Sequence, residues 1–309
     1  DRWPDVTRER CDELLKEAVA PLTEEWNDLP FGDTERARAL SASYLDTCRL
    51  AAWNLTEAFR FSAFRPKAFE LSFGDGGGAK PIRLTLQDGT QINMRGKIDR
   101  VDVGVCENET YLRVVDYKSG NTAFSPSDVY AGQQLQLLIY LRAALDAMQG
   151  AKPAGLFYQK VDHPMLSEEE EITKEEAERK LAKALRLNGL ALSDPSVYRS
   201  MDGREPPLSL DDRLFNQDGT PGKNKPAATA EEMKALMDFA FQKAADLAKE
   251  MKNGVLKASP LQDKYGFGPC TYCDYQGICR RDPLLSQPAR YKENIDIRQL
   301  IERCLDEKK

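Results

Sequence analysis

The sequence lacks the features of a membrane or exported protein. No apolar run approaches the roughly 20 residues that a transmembrane helix requires. No signal peptide opens the chain, so we expect a cytoplasmic protein without membrane contact. The chain begins at Asp1 rather than at a methionine, which favours a fragment of a longer protein. Its 309 residues suffice for one large domain or two modest ones.

Other absences narrow the chemistry. The run "GTPGKNK" lacks the spacing of a phosphate-binding loop, so any ATP-driven step belongs to another part of the protein or to a partner. The single histidine, His163, precedes a proline in a predicted turn, which favours a structural or solvated role. A net charge of −6 argues against a basic coat, although a local groove can still be positive.

The apolar pattern divides the first half into helical and extended parts. Helical stripes near the N-terminus include Cys11 and Cys48, which we interpret as buried core thiols. Alternating extended runs follow, with a hairpin predicted at Asp88-Gly89. Next come the helix "VYAGQQLQLLIYLRAALDAM" and the strand "AGLFYQKV". This order indicates an α/β or α+β sheet layer with helices against it.

The second half is predicted to be mainly helical. Acids precede bases in the helix "SEEEEITKEEAERKLAKAL", and Gly189 is its predicted C-cap. A long excursion over 193–228 is rich in proline, glycine and aspartate. A capping box at Thr229 and Glu232 begins the next helix, which is predicted to end near Gly254. We interpret this part of the chain as a helical insertion.

An acid and a base share one face at the end of a predicted strand. In "LRVVDYKSGNT", Asp116 and Lys118 are two apart and therefore point the same way. Burying such a pair costs free energy unless partners or a metal match it. "GKIDRVD" places Asp99 on the preceding strand, and "FELSF" places Glu70 earlier still. A surface ion pair would explain "DYKSG" alone, but acids that interrupt successive apolar strands favour a site.

Carboxylates on adjacent strands are what a metal-dependent nuclease needs. Asp99 and Asp116 would hold Mg²⁺, a hard cation that takes few protein oxygens and keeps waters. The backbone carbonyl of Tyr117 is a further candidate ligand. The metal would lower the pKa of a bound water and neutralise charge on the phosphate. Lys118 would orient that water or offset the developing negative charge.

Other residues are candidates for contact with DNA. Gln136 and Tyr140 are four apart on a predicted helix and so share a face. They are either surface polar residues or groups that brace the site and touch the DNA backbone. We expect a basic rim drawn from Lys97, Arg100 and Lys160. Phosphate contacts of this kind would make affinity fall steeply with salt.

Together these motifs resemble those of the RecB-type nucleases of the PD-(D/E)xK superfamily. The resemblance rests on Glu70, "GKIDRVD", "VVDYKSG" and "QLQLLIYL". "KPAGLFYQKV", "LNGLAL" and "CTYCDYQGICRRD" resemble more narrowly the C-terminal nuclease domain of the AddB family of bacterial helicase–nuclease subunits. The similarity covers nearly the whole chain. It implies a restriction-endonuclease-like α/β fold. A central mixed sheet would be flanked by helices, with a helical insertion and a C-terminal cysteine-rich iron–sulfur segment.

The resemblance also implies roles, a substrate and a partner. The implied site residues are Asp99 and Asp116 as metal ligands, Lys118 as catalytic lysine, Glu70 as auxiliary acid, and Gln136 and Tyr140 as accessory motif. The protein would be a magnesium-dependent exonuclease that processes double-strand DNA ends for recombinational repair. It would act on single-stranded DNA or unwound duplex ends, with an AddA-type helicase–nuclease subunit as heterodimer partner. One composite domain would contain a helical part (1–62), a nuclease core (63–165), the insertion (166–256) and the cysteine-rich segment (257–309).

Three of the seven cysteines form a C-x2-C-x5-C run at Cys270, Cys273 and Cys279. A reducing compartment favours metal over disulfide for such a cluster. Structural zinc sites and iron–sulfur clusters both require four protein ligands. The run supplies three thiolates, and no histidine lies near it in the sequence. The resemblance implies a [4Fe-4S] cluster whose fourth cysteine lies upstream of the core, in a context absent here. The family's usual histidine before Asp99 is also absent. We therefore expect the cluster to be incomplete or missing in this chain.

Two rival interpretations use the same residues. A non-catalytic scaffold that binds DNA ends would keep the fold, but the intact Asp99, Asp116 and Lys118 speak against a dead site. An iron–sulfur nuclease of the CRISPR adaptation type would share both the site and the cysteines. Those proteins are compact, so the long helical excursion favours the helicase–nuclease interpretation.

Overall fold

The structure is a computed structural model. It describes residues 5–27, 34–74, 76–86, 88–165, 173–255, 258–279, 281 and 289–306. The strands are β1 (Arg65–Phe73), β2 (Ile82–Thr85), β3 (Gln91–Met94), β4 (Gly96–Cys106), β5 (Glu109–Lys118), β6 (Lys152–Lys160), β7 (Asn188–Leu192), β8 (Ala227–Ala228), β9 (Leu261–Gln262) and β10 (Arg290–Tyr291). The helices are α1 (Arg8–Asn27), α2 (Glu35–Arg60), α3 (Pro126–Ala131), α4 (Gln136–Ala147), α5 (Lys174–Ala184), α6 (Pro195–Met201), α7 (Ala230–Lys252), α8 (Gln276–Cys279) and α9 (Ile297–Asp306).

A mixed six-stranded sheet lies at the centre, in the order β1-β4-β5-β6-β7-β8. β4 and β5 are antiparallel and pair Arg100 with Val115. β5 and β6 are parallel and pair Asp116 with Tyr158. A parallel pair needs a long crossover, and α3 and α4 provide it. The predicted α/β fold with a mixed central sheet is thus confirmed.

Helices cover the two faces of the sheet. α4 packs on β5, β6 and α7, and α9 packs on α7. On the opposite face, the Phe59 ring of α2 stacks against the guanidinium of Arg100. Val114 and Val115 are consecutive residues of β5 that point to opposite faces, and both are fully buried. The central strands are therefore covered on both sides, which supplies the main hydrophobic stabilisation.

Several local predictions are confirmed. β2 and β3 pair as an antiparallel hairpin, and Gly89 in the turn has a φ of +80°. Thr229 caps α7 in a reciprocal box with Glu232. Cys11 is buried, with its sulfur 3.7 Å from Thr56 Oγ1, whereas Cys48 is only half-buried. No helix among the described residues is long and apolar enough to cross a bilayer.

The segment predicted as a helical insertion also supplies strands to the sheet. α5 ends at Ala184 with Leu185 as its C-cap, so the prediction that Gly189 caps this helix is wrong. Gly189 instead lies in β7, opposite Phe157 of β6. A Cβ at this position would lie 2.0 Å from the Leu156 carbonyl oxygen, so the close strand pairing requires glycine. The predicted helix start at 167–172 lies outside the described residues.

The excursion over 193–228 is partly ordered into regular structure. It contains α6, which packs on β4 and β7, and the short strand β8, which pairs with β7. A segment rich in proline and glycine therefore completes the edge of the sheet, because its few apolar residues find partners distant in sequence.

Candidate active site

Asp99 and Asp116 lie at the same end of the β4–β5 pair. Because Arg100 pairs with Val115, the residue before the first and the residue after the second are neighbours. The backbone N–H of Tyr117 donates to Asp99 Oδ2 at 2.7 Å. The Asp116 side chain is almost completely buried. Strand pairing therefore brings the two predicted metal ligands together.

Lys118, Gln136 and Tyr140 form a polar chain beside these acids. Lys118 Nζ lies 2.5 Å from Asp116 Oδ2 and donates to Gln136 Oε1 at 3.4 Å. Gln136 Nε2 donates to the Tyr140 hydroxyl at 2.8 Å. The Tyr140 ring packs edge-on against Phe73, with ring centroids 5.9 Å apart. The first turn of α4 thus faces the end of β5.

Glu70 lies on the neighbouring strand in an unusual backbone conformation. The register of β1 against β4 sets Glu70 opposite Asp99. Its φ is +50°, in the left-handed region that non-glycine residues seldom occupy. Its exposed carboxylate pairs with Lys97. Strain of this kind costs about 1–3 kcal/mol and concentrates at functional sites.

The Asp116 carboxylate is in an electrostatically costly position. Burial raises its pKa, the Lys118 ammonium opposes that rise, and Asp99 adds to it. Asp116 Oδ2 is buried and has no well-directed hydrogen bond from any described residue, although Lys118 is close. Burial also raises the pKa of Tyr158, the partner of Asp116 on β6, to about 12. Lys118 compensates this buried anion in part, and a bound divalent cation would compensate it further.

These residues fit a hard divalent cation. Asp99, Asp116 and Glu70 supply carboxylate oxygens, the donors that Mg²⁺ prefers. Within the described ranges, no group of three or more His, Cys, Asp or Glu side chains is already gathered in metal-site geometry. Lys118 instead lies beside Asp116. Ligation by the Tyr117 carbonyl stays a prediction.

Arg100 does not belong to a DNA-contacting rim, and that prediction is wrong. Its side chain is 1% exposed. Its Nε lies 3.0 Å from Asp102 Oδ1, and its Nη1 donates to the Tyr117 hydroxyl at 2.5 Å. Side chains alternate along a strand, so Arg100 lies on the face opposite Asp99. Asp102 pairs with Arg113 at 2.9 Å, and neither residue is among the predicted site residues. The alternation of side chains along β4 would have placed Asp102 on the same face as Arg100.

The two lysines of the predicted rim remain accessible. Lys97 pairs with the exposed Glu70, and Lys160 pairs with Asp162 at 2.8 Å. His163 is exposed at the bend that follows β6. The predicted rim thus retains two cations, each of which already contacts an acid.

The three clustered cysteines line one cavity of about 440 Å³. Cys270 and Cys273 are half-buried and Cys279 is exposed. Soft thiolates around one cavity fit a zinc ion or an iron–sulfur cluster. No other cysteine lines this cavity among the described residues: Cys11 is buried near α2 and Cys304 in α9. Among the described residues, however, the three cysteines are not gathered in metal-site geometry, so a cluster at this cavity stays a prediction.

Comparison with known proteins gives a consistent result. The sequence model of the PD-(D/E)XK nuclease superfamily matches residues 3–280. An ATP-dependent helicase/deoxyribonuclease subunit of the B type from Thermoanaerobacter sp. (strain X514) is 35% identical over 283 residues, covering 90% of this chain and 24% of that protein. The same type of subunit from Acetivibrio thermocellus is 34% identical over 291 residues, covering 92% and 25%. Its counterpart from Clostridium tetani is 34% identical over 289 residues, covering 91% and 25%. The chain spans about a quarter of the length of these relatives.

Proposed function

The chain belongs to the PD-(D/E)XK nuclease superfamily, and we propose that it is the metal-dependent nuclease part of a helicase–deoxyribonuclease subunit. The observation that carries this proposal is the meeting of Asp99, Asp116 and Lys118 at one end of the β4–β5 pair. The Asp116 carboxylate is buried and lies beside Asp99 and Lys118, and a bound divalent cation would further offset the cost of burying it. The similarity to subunits with this name supports DNA as the substrate.

Each side chain has a role that follows from its position. Asp99 and Asp116 would hold Mg²⁺, with the Tyr117 carbonyl as a further ligand and Glu70 as an auxiliary acid. A bound Mg²⁺ polarises the phosphate and lowers the pKa of a water molecule. Lys118 holds a positive charge beside the reacting phosphate and offsets the negative charge that develops there.

Two helix residues set the position of the lysine. Gln136 accepts a hydrogen bond from Lys118, and Tyr140 accepts one from Gln136, so the ammonium group is oriented by a fixed chain. Such orienting groups matter because a displaced catalytic group loses much of its effect. We propose that the pair also contacts the DNA backbone.

The finer assignment follows the relatives. We propose that the enzyme is an exonuclease on the unwound strand at double-strand ends, working in recombinational repair with an AddA-type partner subunit. Cys270, Cys273 and Cys279 would hold a [4Fe-4S] cluster together with one thiolate from outside the described residues. Such a cluster would stabilise the fold without transferring electrons.

The test is Asp116→Ala in the native full-length protein with any partner that copurifies. We expect cleavage of end-labelled DNA to fall by about a thousandfold or more, because the metal loses a ligand and the phosphate its charge stabilisation. Asp146→Ala is the matched control, since Asp146 is an exposed acid on α4 that pairs with Arg142. Unchanged cleavage in Asp116→Ala would overturn the proposal.

Lys118→Ala separates chemistry from metal binding. We expect this variant to lose cleavage and still bind the cation, because its carboxylates remain. Ca²⁺, which accepts looser geometry than Mg²⁺, should support DNA binding better than cutting. If Asp116→Ala and Lys118→Ala both bind DNA and cleave it at the wild-type rate, these residues play no catalytic part.

A further inference from the structure

A buried charged cluster lies directly behind the acidic site. Arg100, Asp102 and Arg113 are each at most 3% exposed, on the face of the sheet opposite Asp99. Both guanidinium groups contact Asp102, at 3.0 Å and 2.9 Å. Two cations around one anion leave the cluster with a net positive charge in the interior.

The cluster is connected to the site through Tyr117. Arg100 Nη1 donates to the Tyr117 hydroxyl, and the Arg100 guanidinium lies 5.3 Å from the centroids of both the Tyr117 and Phe59 rings. The backbone N–H of the same tyrosine donates to Asp99 Oδ2 at 2.7 Å. Tyr117 is therefore fixed on one face of the sheet and holds the Asp99 carboxylate on the other.

Stability alone does not explain this arrangement. Removing charges from water costs several kcal/mol for each ion, and apolar side chains of similar volume are often as stabilising. Arg113 Nη1, Arg100 Nε and Asp102 Oδ1 have no well-directed hydrogen bond from the described residues, although Arg100 Nε and Asp102 Oδ1 lie 3.0 Å apart, so the cluster is not fully satisfied. What Arg100 does provide is a planar guanidinium that contacts the Phe59 and Tyr117 rings and donates to the Tyr117 hydroxyl, and such a group fixes direction better than an apolar contact.

We propose that Arg100 and Tyr117 are positioning residues that fix the Asp99 carboxylate for metal binding. This inference rests on the proposed nuclease function. Partners that orient metal ligands contribute about 10–100-fold to metal affinity or activity. Here the group that orients Asp99 is the backbone N–H of Tyr117. Arg100, on the opposite face of the sheet, holds the side chain of the same tyrosine.

Tyr117→Phe tests the inference in the native full-length protein. The variant keeps the ring and the backbone amide and removes only the hydroxyl. We expect the affinity of this site for Mn²⁺ to fall by about tenfold. Electron paramagnetic resonance measures the bound Mn²⁺, and the Mn²⁺ bound by Asp116→Ala is subtracted as binding outside the site. The Mn²⁺ concentration that gives half-maximal cleavage should rise by the same factor, with an unchanged KM for DNA. Arg100→Lys, which cannot reach Asp102 and Tyr117 together, should act in the same direction.

Tyr198→Phe is the matched control, because Tyr198 is a buried tyrosine whose hydroxyl also makes a hydrogen bond, but to the Asp211 carbonyl at 3.0 Å. Wild-type Mn²⁺ affinity in Tyr117→Phe, or an equal loss in Tyr198→Phe, would overturn the inference. If Arg100→Lys does not fold, Tyr117→Phe alone decides. The proposed nuclease function fails separately if Asp116→Ala keeps both Mn²⁺ binding and cleavage.

Discussion

Asp116 and Glu70 occupy states that cost the folded protein free energy. Asp116 is a buried carboxylate whose pKa is raised chiefly by burial. Glu70 has a left-handed backbone at the middle of the β1–β4 pairing. Both residues belong to the same candidate site. Natural proteins keep such costs where function needs them, so each residue supports a different test.

Asp116→Asn should stabilise the metal-free protein while abolishing cleavage. The amide has nearly the same shape but carries no buried charge. We therefore expect the free energy of unfolding at neutral pH to rise by about 0.5–2 kcal/mol. Urea unfolding in a chelator measures this change, and the exposed Asp146→Asn serves as control. A less stable variant would show that the ion pair between Asp116 and Lys118 contributes more free energy than burying the Asp116 charge costs.

Glu70→Gly should separate strain from chemistry. Relief of the left-handed backbone is worth about 1–2 kcal/mol, against an entropic cost of glycine of about 0.5–1 kcal/mol, so stability should be equal or slightly higher. Glu107 has a φ of +51° in the β4–β5 turn and provides a matched control. Only Glu70→Gly should slow cleavage, by about tenfold. Equal cleavage in the two variants would remove Glu70 from the site.

The loop after α6 depends on one carboxylate. The Asp202 side chain accepts hydrogen bonds from Arg204, from the backbone N–H groups of Leu208 and Ser209, and from the Ser209 hydroxyl. Burial raises the pKa of Asp202, but the bonds from Arg204 and Ser209 lower it by more, so the net shift is downward. The charged carboxylate therefore stabilises the path of the chain from α6 toward β8.

Asp202→Ala should destabilise the protein by about 3 kcal/mol at pH 7, because it removes one partner of a buried ion pair. A depressed folded-state pKa means that this contribution is present above the ordinary value of 3.8 and is lost as pH falls through the folded value. The difference in unfolding free energy between wild type and variant should therefore shrink toward acid pH. Urea unfolding over a pH series measures it, with the exposed Asp246→Ala as control. A difference that grows toward acid pH would contradict the assignment.

The C-terminal part of the chain returns to the core of the molecule. Ser127 Oγ accepts from the backbone N–H of Ile295 at 3.0 Å, and Lys292 pairs with Asp128 at 2.7 Å. α9 packs on α7 beyond the cysteine cavity. The cysteine run therefore lies between two anchored helices, so a metal cluster there would constrain a long loop of chain.

Cys273→Ala in the native full-length protein should remove the bound cluster. We expect loss of iron, loss of broad visible absorption and a lower thermal midpoint, because metal binding free energy adds to folding free energy. Cys106→Ala is the control, since Cys106 is half-buried at the end of β4 and does not line the cavity. Unchanged iron content in Cys273→Ala would exclude this cavity as the cluster site.

Features that rest on short-range physics can be predicted from the amino-acid sequence alone. A two-residue period sets Asp116 and Lys118 on one strand face, and a four-residue spacing sets Gln136 and Tyr140 on one helix face. The hairpin at Asp88-Gly89 follows from local backbone preference in the same way. The order of strands and helices is sufficient to indicate a sheet covered by helices.

Long-range contacts, in contrast, decide which strand faces are buried and which distant segments pair. The sequence favours a surface position for Arg100, yet pairing of β4 with β5 and packing against Phe59 bury it beside Asp102. The sequence also favours Gly189 as a helix end, yet β6 recruits it into a strand. Strand register and burial depend on contacts between residues far apart in sequence, which no local spacing encodes.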